Sequence, residues 1–264
     1  MGGKLARLIT VIAVLGLASG CGSGDDEPHS SPAPGGATSS ASAGVVSPPG
    51  EDEEADVSVP ECGGILLEEG GTVSGADLGG CISAAMVAAG SGVHRVETSD
   101  GDSQTVSFRW NPDFEMSADG GQAVVIKGDD GWIRDSETGA WIKGDTESND
   151  PQAMMAGTVV ELVRVAGHPD MIAATIAAAD TWTIVEEGEV PVEDAVSDRG
   201  WLFEPAGPME VLGVTLTDYS IWLTPDYLGV YAEATGTTMG QTVTTRDTFL
   251  EWGGPVEIPD PEQG

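Results

Sequence analysis

Hydrophobic and polar positions along this chain change period several times, and each change predicts a different element. An apolar run at residues 8–17 is followed by a tract, residues 22–60, with almost no large apolar side chains. From residue 74 the period becomes helical: Ile82, Ala85, Met86 and Ala89 recur on one face. Ser74 stands three residues before Asp77, a variant of the capping box, and Gly90 ends the run. Gly79 and Gly80 weaken this helix. From residue 93 the period is two. Val106, Phe108 and Trp110 fall on one face of a strand and Ser107 and Arg109 on the other, with "DGDS" as the preceding hairpin turn. "FEMSADGG" and "QAVVIKGDDG" continue the meander. In "GWIRDSETGAWIKGD" two Trp-Ile-cation triplets flank a polar turn, which predicts a hairpin with matched aromatic positions.

A second helical block begins where Asp150 can cap and Pro151 takes the first position. Met154, Met155, Val159, Leu162, Val163 and Ala166 make its broad apolar face, Gly167 stops it, and Pro169 opens a further helix reaching about Ala179. Strand patterns then resume as "TWTIVEE", "GWLFEP", "PMEVLGVTLTDYSIWLTP", "YLGVYAEATGT" and "QTVTTRDTFLEWG", rich in Thr, Val and aromatics. Helix, meander, helix pair, meander is the order of an α+β domain built on an antiparallel sheet, with its helices grouped on one face.

Length changes little in this picture: 264 residues suit one domain of about 200 residues with appendages. Charge changes more. Ten Lys and Arg oppose 44 Asp and Glu, for a net charge of −34. Such a surface repels phosphate backbones and anionic headgroups, which excludes a nucleic-acid partner. A solvated surface, a high-salt habitat and cation binding all remain open as reasons for the acidity.

Lys4, Arg7, the ten apolar residues 8–17 and the small residues Ala18, Ser19 and Gly20 have the layout of an export signal. Ten residues are too few to span a bilayer, which takes about 20. Small residues directly before Cys21 resemble the lipobox of bacterial lipoproteins, in which the peptidase cuts before the Cys and the thiol carries a diacylglycerol. Ala18 stands where that motif usually has Leu, and Leu17 is one place earlier. The resemblance implies a signal peptide over residues 1–20, a lipidated Cys21 heading an acidic Pro/Gly/Ser-rich tether over 21–60, and a folded domain over 61–264. The tether's flexible reach is roughly 35 Å. Three cysteines are an odd number for an exported protein; with Cys21 lipidated, Cys62 and Cys81 remain as a pair expected to form a disulfide.

The C-terminal strands carry a second resemblance. "DYSIWLTPDYLGVYAEATG" and "TTRDTFLEWGGPVEIPDP" are similar to the closing strands of actinobacterial lipoproteins of the LppX/LprA/LprF/LprG group and their LolA-like relatives. The matching positions are Trp222, Leu223, Leu228, Val230, Trp252, Gly253, Pro255, Val256 and Ile258. The resemblance implies a curved antiparallel half-barrel with helices packed on its concave face. It also implies an apolar cavity for acyl chains and a part in moving lipids or lipoproteins. The cysteine pair and the extreme acidity are departures from the group.

No motif for catalysis stands out. His29, His94 and His168 lack partners at metal-ligand spacing, and His168 reads as a turn residue. In "GTVSG" the Ser is one place late for a nucleophile elbow, and the stretch reads as a loop into a helix N-cap. "SDGDS", "KGDDGW" and "KGDTESND" lack the alternating ligands of a calcium loop and read as turns. Neither enzyme activity nor a cofactor is expected. Seven tryptophans are the remaining signal. Some could line a ligand cavity with methionines as a deformable wall, and the candidates are Met86, Phe108, Trp110, Met154, Leu162, Trp182 and Trp222. The expectation is a monomeric, lipid-anchored protein on the outer side of the cell membrane that binds a hydrophobic ligand. The competing expectation is a filled core and a surface that binds a protein partner.

Overall fold

The computed structural model describes residues 59–238 and 240–261. The export signal, Cys21 and nearly all of the tether lie outside the described residues. A short 3-10 turn, Pro60–Cys62, leads through β1 (Thr72–Ser74) into helix α1 (Gly75–Ala89). Strands β2 (Ser91–Thr98), β3 (Ser103–Arg109), β4 (Glu115–Asp119), β5 (Val124–Lys127), β6 (Asp130–Arg134) and β7 (Trp141–Lys143) follow. Helices α2 (Pro151–Ala166) and α3 (Pro169–Ala177) come next. The chain closes with β8 (Thr181–Glu189), β9 (Arg199–Pro205), β10 (Met209–Val211), β11 (Val214–Leu223), β12 (Gly229–Thr238) and β13 (Gln241–Trp252).

All thirteen strands belong to one open antiparallel sheet in the order β1-β8-β9-β11-β12-β13-β2-β3-β4-β5-β6-β7, with β10 paired to β11 alone. The first meander builds one half outward from β2. The second starts at the far side and returns inward until β13 pairs with β2. The fold is therefore the expected α+β class, and its middle is the junction of the two halves.

The helices start and stop where local chemistry dictates. Ser74 caps α1 by accepting the Asp77 N–H, and Gly90 ends it in the left-handed conformation at φ 78°. The Asp150 carboxylate caps α2 at the Gln152 N–H, and His168 caps α3 at the Asp170 N–H. Cys62 and Cys81 form a disulfide that ties the 3-10 turn to α1. Gly75 and Gly79 let α1 lie almost backbone to backbone against α3: a Cβ at Gly79 would stand 2.5 Å from the Ala173 carbonyl oxygen.

Three structural details differ from the sequence reading. Strand β1 sits in a segment read as a loop. The stretch "PMEVLGVTLTDYSIWLTP", read as one strand, is a hairpin, β10–β11, turning through Leu212 and Gly213 at positive φ. In the β6–β7 hairpin the tryptophans are not matched: Trp132 opposes Lys143 and Arg134 opposes Trp141. Each aromatic thus faces a cation, and the Lys143 ammonium lies 5.5 Å from the Trp132 ring centroid.

Two apolar clusters lie between sheet and helices. One joins α1 and α3 to β8, β9 and β11 around Trp182, Phe203 and Leu78. The other joins α2 to β2–β5 around Ile126, Val96 and Val160. A third, of Val190, Trp222, Val230 and Tyr231, lies on the opposite face under the segment that connects β8 to β9. The Val196 N–H of that segment donates to the Phe249 carbonyl.

Candidate functional site

The two inner clusters do not close on each other. Between them the sheet and all three helices enclose a cavity of about 430 Å³, within the usual range of ~300–1,000 Å³ for ligand sites. Its shape follows from the register of the strands. Tyr219, Ala234, Thr245 and Thr98 form one cross-strand row on β11, β12, β13 and β2. Ile221, Ala232, Asp247, Val96 and Gln104 form the next. Small side chains on β12, Ala232 and Ala234, leave the space that larger residues would fill, and the Phe249 ring packs against Gly229.

One end of the cavity is aromatic. Phe249 stacks on Trp252 at 5.0 Å, Phe108 packs against Trp110 at 4.6 Å, and Phe108 meets Trp252 edge-on at 5.6 Å. The indole N–H groups are already engaged. Trp252 donates to the Gly229 carbonyl at 2.7 Å and Trp110 to the Gly167 carbonyl at 3.3 Å. Their ring faces therefore present only apolar surface. Met86, Ile172 and Leu223 complete this end.

The opposite end is polar. Thr98, Asp102, Ser103, Gln104 and Gln122 line it, all near the ends of hairpins. Between the two ends, His94 Nδ1 lies 3.1 Å from Asp247 Oδ1, with side-chain exposures of only 10% and 15%. His94 also stacks on Phe249 at 5.3 Å. Tyr219 lies in the same wall, edge-on to Trp182. Burial, and secondarily the Asp247 charge, pushes its phenol above the ordinary range.

Of the residues singled out from sequence, Met86, Phe108 and Trp110 line the cavity on its inner face. Trp222 borders it, but its ring belongs to the cluster on the opposite face with Val190, Val230 and Tyr231. Three candidates do not line it. Met154 is 46% exposed on the solvent side of α2. Leu162 packs at the margin of the α2 cluster, while its neighbours Val163 and Ala166 reach the cavity. Trp182 is fully buried in solid core and donates to the Ile176 carbonyl at 2.9 Å. A helical period identifies an apolar face but not which half of it meets a void. His94, Tyr219, Asp247, Phe249 and Trp252 were missed as lining. The alternation of Thr245, Asp247 and Phe249 on β13 was the available signal for the last strand.

Among the described residues no group of three or more His, Cys, Asp or Glu side chains is placed to hold a metal ion, and no helix is long and apolar enough to cross a membrane.

No family model matches the sequence, and no curated protein matches it. Among solved structures the chain is similar to LprF from Mycobacterium bovis, with 14% identity over 71% of this chain and 96% of that one, at a TM-score of 0.43. It is also similar to a LolA superfamily protein from Nitrosomonas europaea, with 10% identity over 71% of this chain and 94% of that one, at a TM-score of 0.26.

Proposed function

We propose that this protein is a lipid-anchored protein of the cell envelope that holds the acyl part of a hydrophobic ligand between its sheet and its helices, without catalysis. The observation that supports this reading is the cavity itself: about 430 Å³ with an aromatic and aliphatic end whose polar tips are already hydrogen-bonded. Burying an acyl chain there gains about 0.8 kcal/mol per CH₂. The void also weighs against the rival reading of a filled core. The export signal and Cys21 supply the anchor and the extracytoplasmic location.

Trp110 and Trp252 make the reading testable in solution, because both line the apolar end. A stearoylglycerol carrying bromine in its chain should quench their fluorescence saturably, and Trp110→Phe with Trp252→Phe should remove most of the quenching. Saturable quenching that survives in the double variant, or none at all, would rule the site out.

A further inference from the structure

The cavity holds more chemistry than an acyl chain needs. Charged or ionisable side chains among its described lining are Asp102, Asp247, His94, Tyr219 and Tyr231; neither Lys nor Arg lines it. Asp247 and His94 are nearly buried, 3.1 Å apart, in the wall between the aromatic end and the polar end. A carboxylate can only accept, so the His94 Nδ1–H donates to it. Asp247 Oδ2 is a further acceptor. In the neighbouring row, Thr245 is 1% exposed and its Oγ1 has no hydrogen-bond partner. Thr245 is not itself a lining residue; it pairs across the sheet with Thr98 and Ala234, which both line the cavity, and it shares a strand face with Asp247.

We infer that His94 and Asp247, with Thr245 in the adjoining row, form a polar subsite that receives the hydroxyl groups of an uncharged amphiphile, such as a monoacylglycerol, and rejects a carboxylate or phosphate end. The Asp247 carboxylate offers acceptors, which suit hydroxyl donors, and Thr245 can both donate and accept. An anionic end brings acceptors and sets a second negative charge against a buried carboxylate, with neither Lys nor Arg in the described wall to offset it. Like charges juxtaposed in a poorly solvated site cost enough to govern selectivity. The inference rests on the carrier reading and assigns its polar end.

The test measures displacement of the brominated stearoylglycerol by palmitoylglycerol and by palmitoyl lysophosphatidate, which share a chain and a glycerol and differ in one phosphate. Palmitoylglycerol should compete at least about ten-fold better at neutral pH. Asp247→Asn should shrink that preference several-fold by removing the charge while keeping the shape. Thr245→Val should weaken palmitoylglycerol without helping lysophosphatidate. Equal or tighter binding of lysophosphatidate overturns the subsite and leaves the carrier reading standing. A preference unchanged in a folded Asp247→Asn also overturns it. Failure of the brominated probe to bind at all overturns both.

Discussion

Gly79 and Gly80 are neighbours in α1 with opposite surroundings. A methyl group at Gly79 would collide with backbone of α3, whereas one at Gly80 would meet nothing within 4 Å. Gly79→Ala should therefore destabilise the protein by about 1–3 kcal/mol through overpacking. Gly80→Ala should stabilise it by about 0.5–1 kcal/mol by helix propensity alone. Thermal unfolding of the two variants decides the matter, and shifts in the same direction would contradict the helix crossing. The three tyrosines give a second residue-scale prediction. Burial raises the phenols of Tyr219, Tyr227 and Tyr231 above their usual value near 10, that of Tyr231 to about 12 with help from Glu233. The unfolded chain then releases its phenolic protons first, so stability is intact below pH 10 and falls as pH rises beyond it. Ultraviolet titration of the native protein should lack the phenolate steps of Tyr219 and Tyr231 near pH 10, and the same titration in denaturant should show all three tyrosines there.

At the scale of elements, most caps and stops of the helices were legible because each rests on one or two residues: Ser74 with Gly90, Asp150 with Pro151, and Pro169 at the start of α3; His168, read as a turn residue, is instead the cap of α3. The β10–β11 turn was not, because Leu212 occupies a positive-φ position that sequence reasoning assigns to Gly, Asn or Asp. The Cys62–Cys81 pairing was legible by counting, and its mechanical role shows only in the fold: it fastens the 3-10 turn to α1, the helix that contributes Ile82 and Met86 to the cavity. Replacing both cysteines by serine should cost about 3 kcal/mol and lower Tm by roughly 6–12 °C in differential scanning calorimetry. An unchanged Tm would mean the link does not hold α1.

At the scale of the molecule, the α+β class and antiparallel sheet followed from the order of periods, but the cavity did not. It depends on Ala232 and Ala234 of β12 lining up opposite Asp247 and Thr245, a register that alternation alone cannot supply. Charge acts at the same scale. On the proposed reading, loss of Lys4 and Arg7 with the export signal would take the chain from −34 to −36, so an anionic membrane would offer no attraction and retention would rest on lipid. One acyl chain holds a protein only marginally, and two or more hold it stably. Cys21→Ala should release the protein or leave its precursor uncut, as read by membrane fractionation and mass. Full membrane retention of a cleaved variant would refute the anchor.

The central claim is that a lipid chain occupies the space between sheet and helices. Native mass spectrometry of the full chain expressed in a bacterial envelope tests it most directly. The account predicts a species heavier than the protein by one lipid, released on collisional activation, and lost when Ala232→Leu narrows the cavity of a folded protein. A clean ligand-free mass, with no uptake of added palmitoylglycerol, would contradict it.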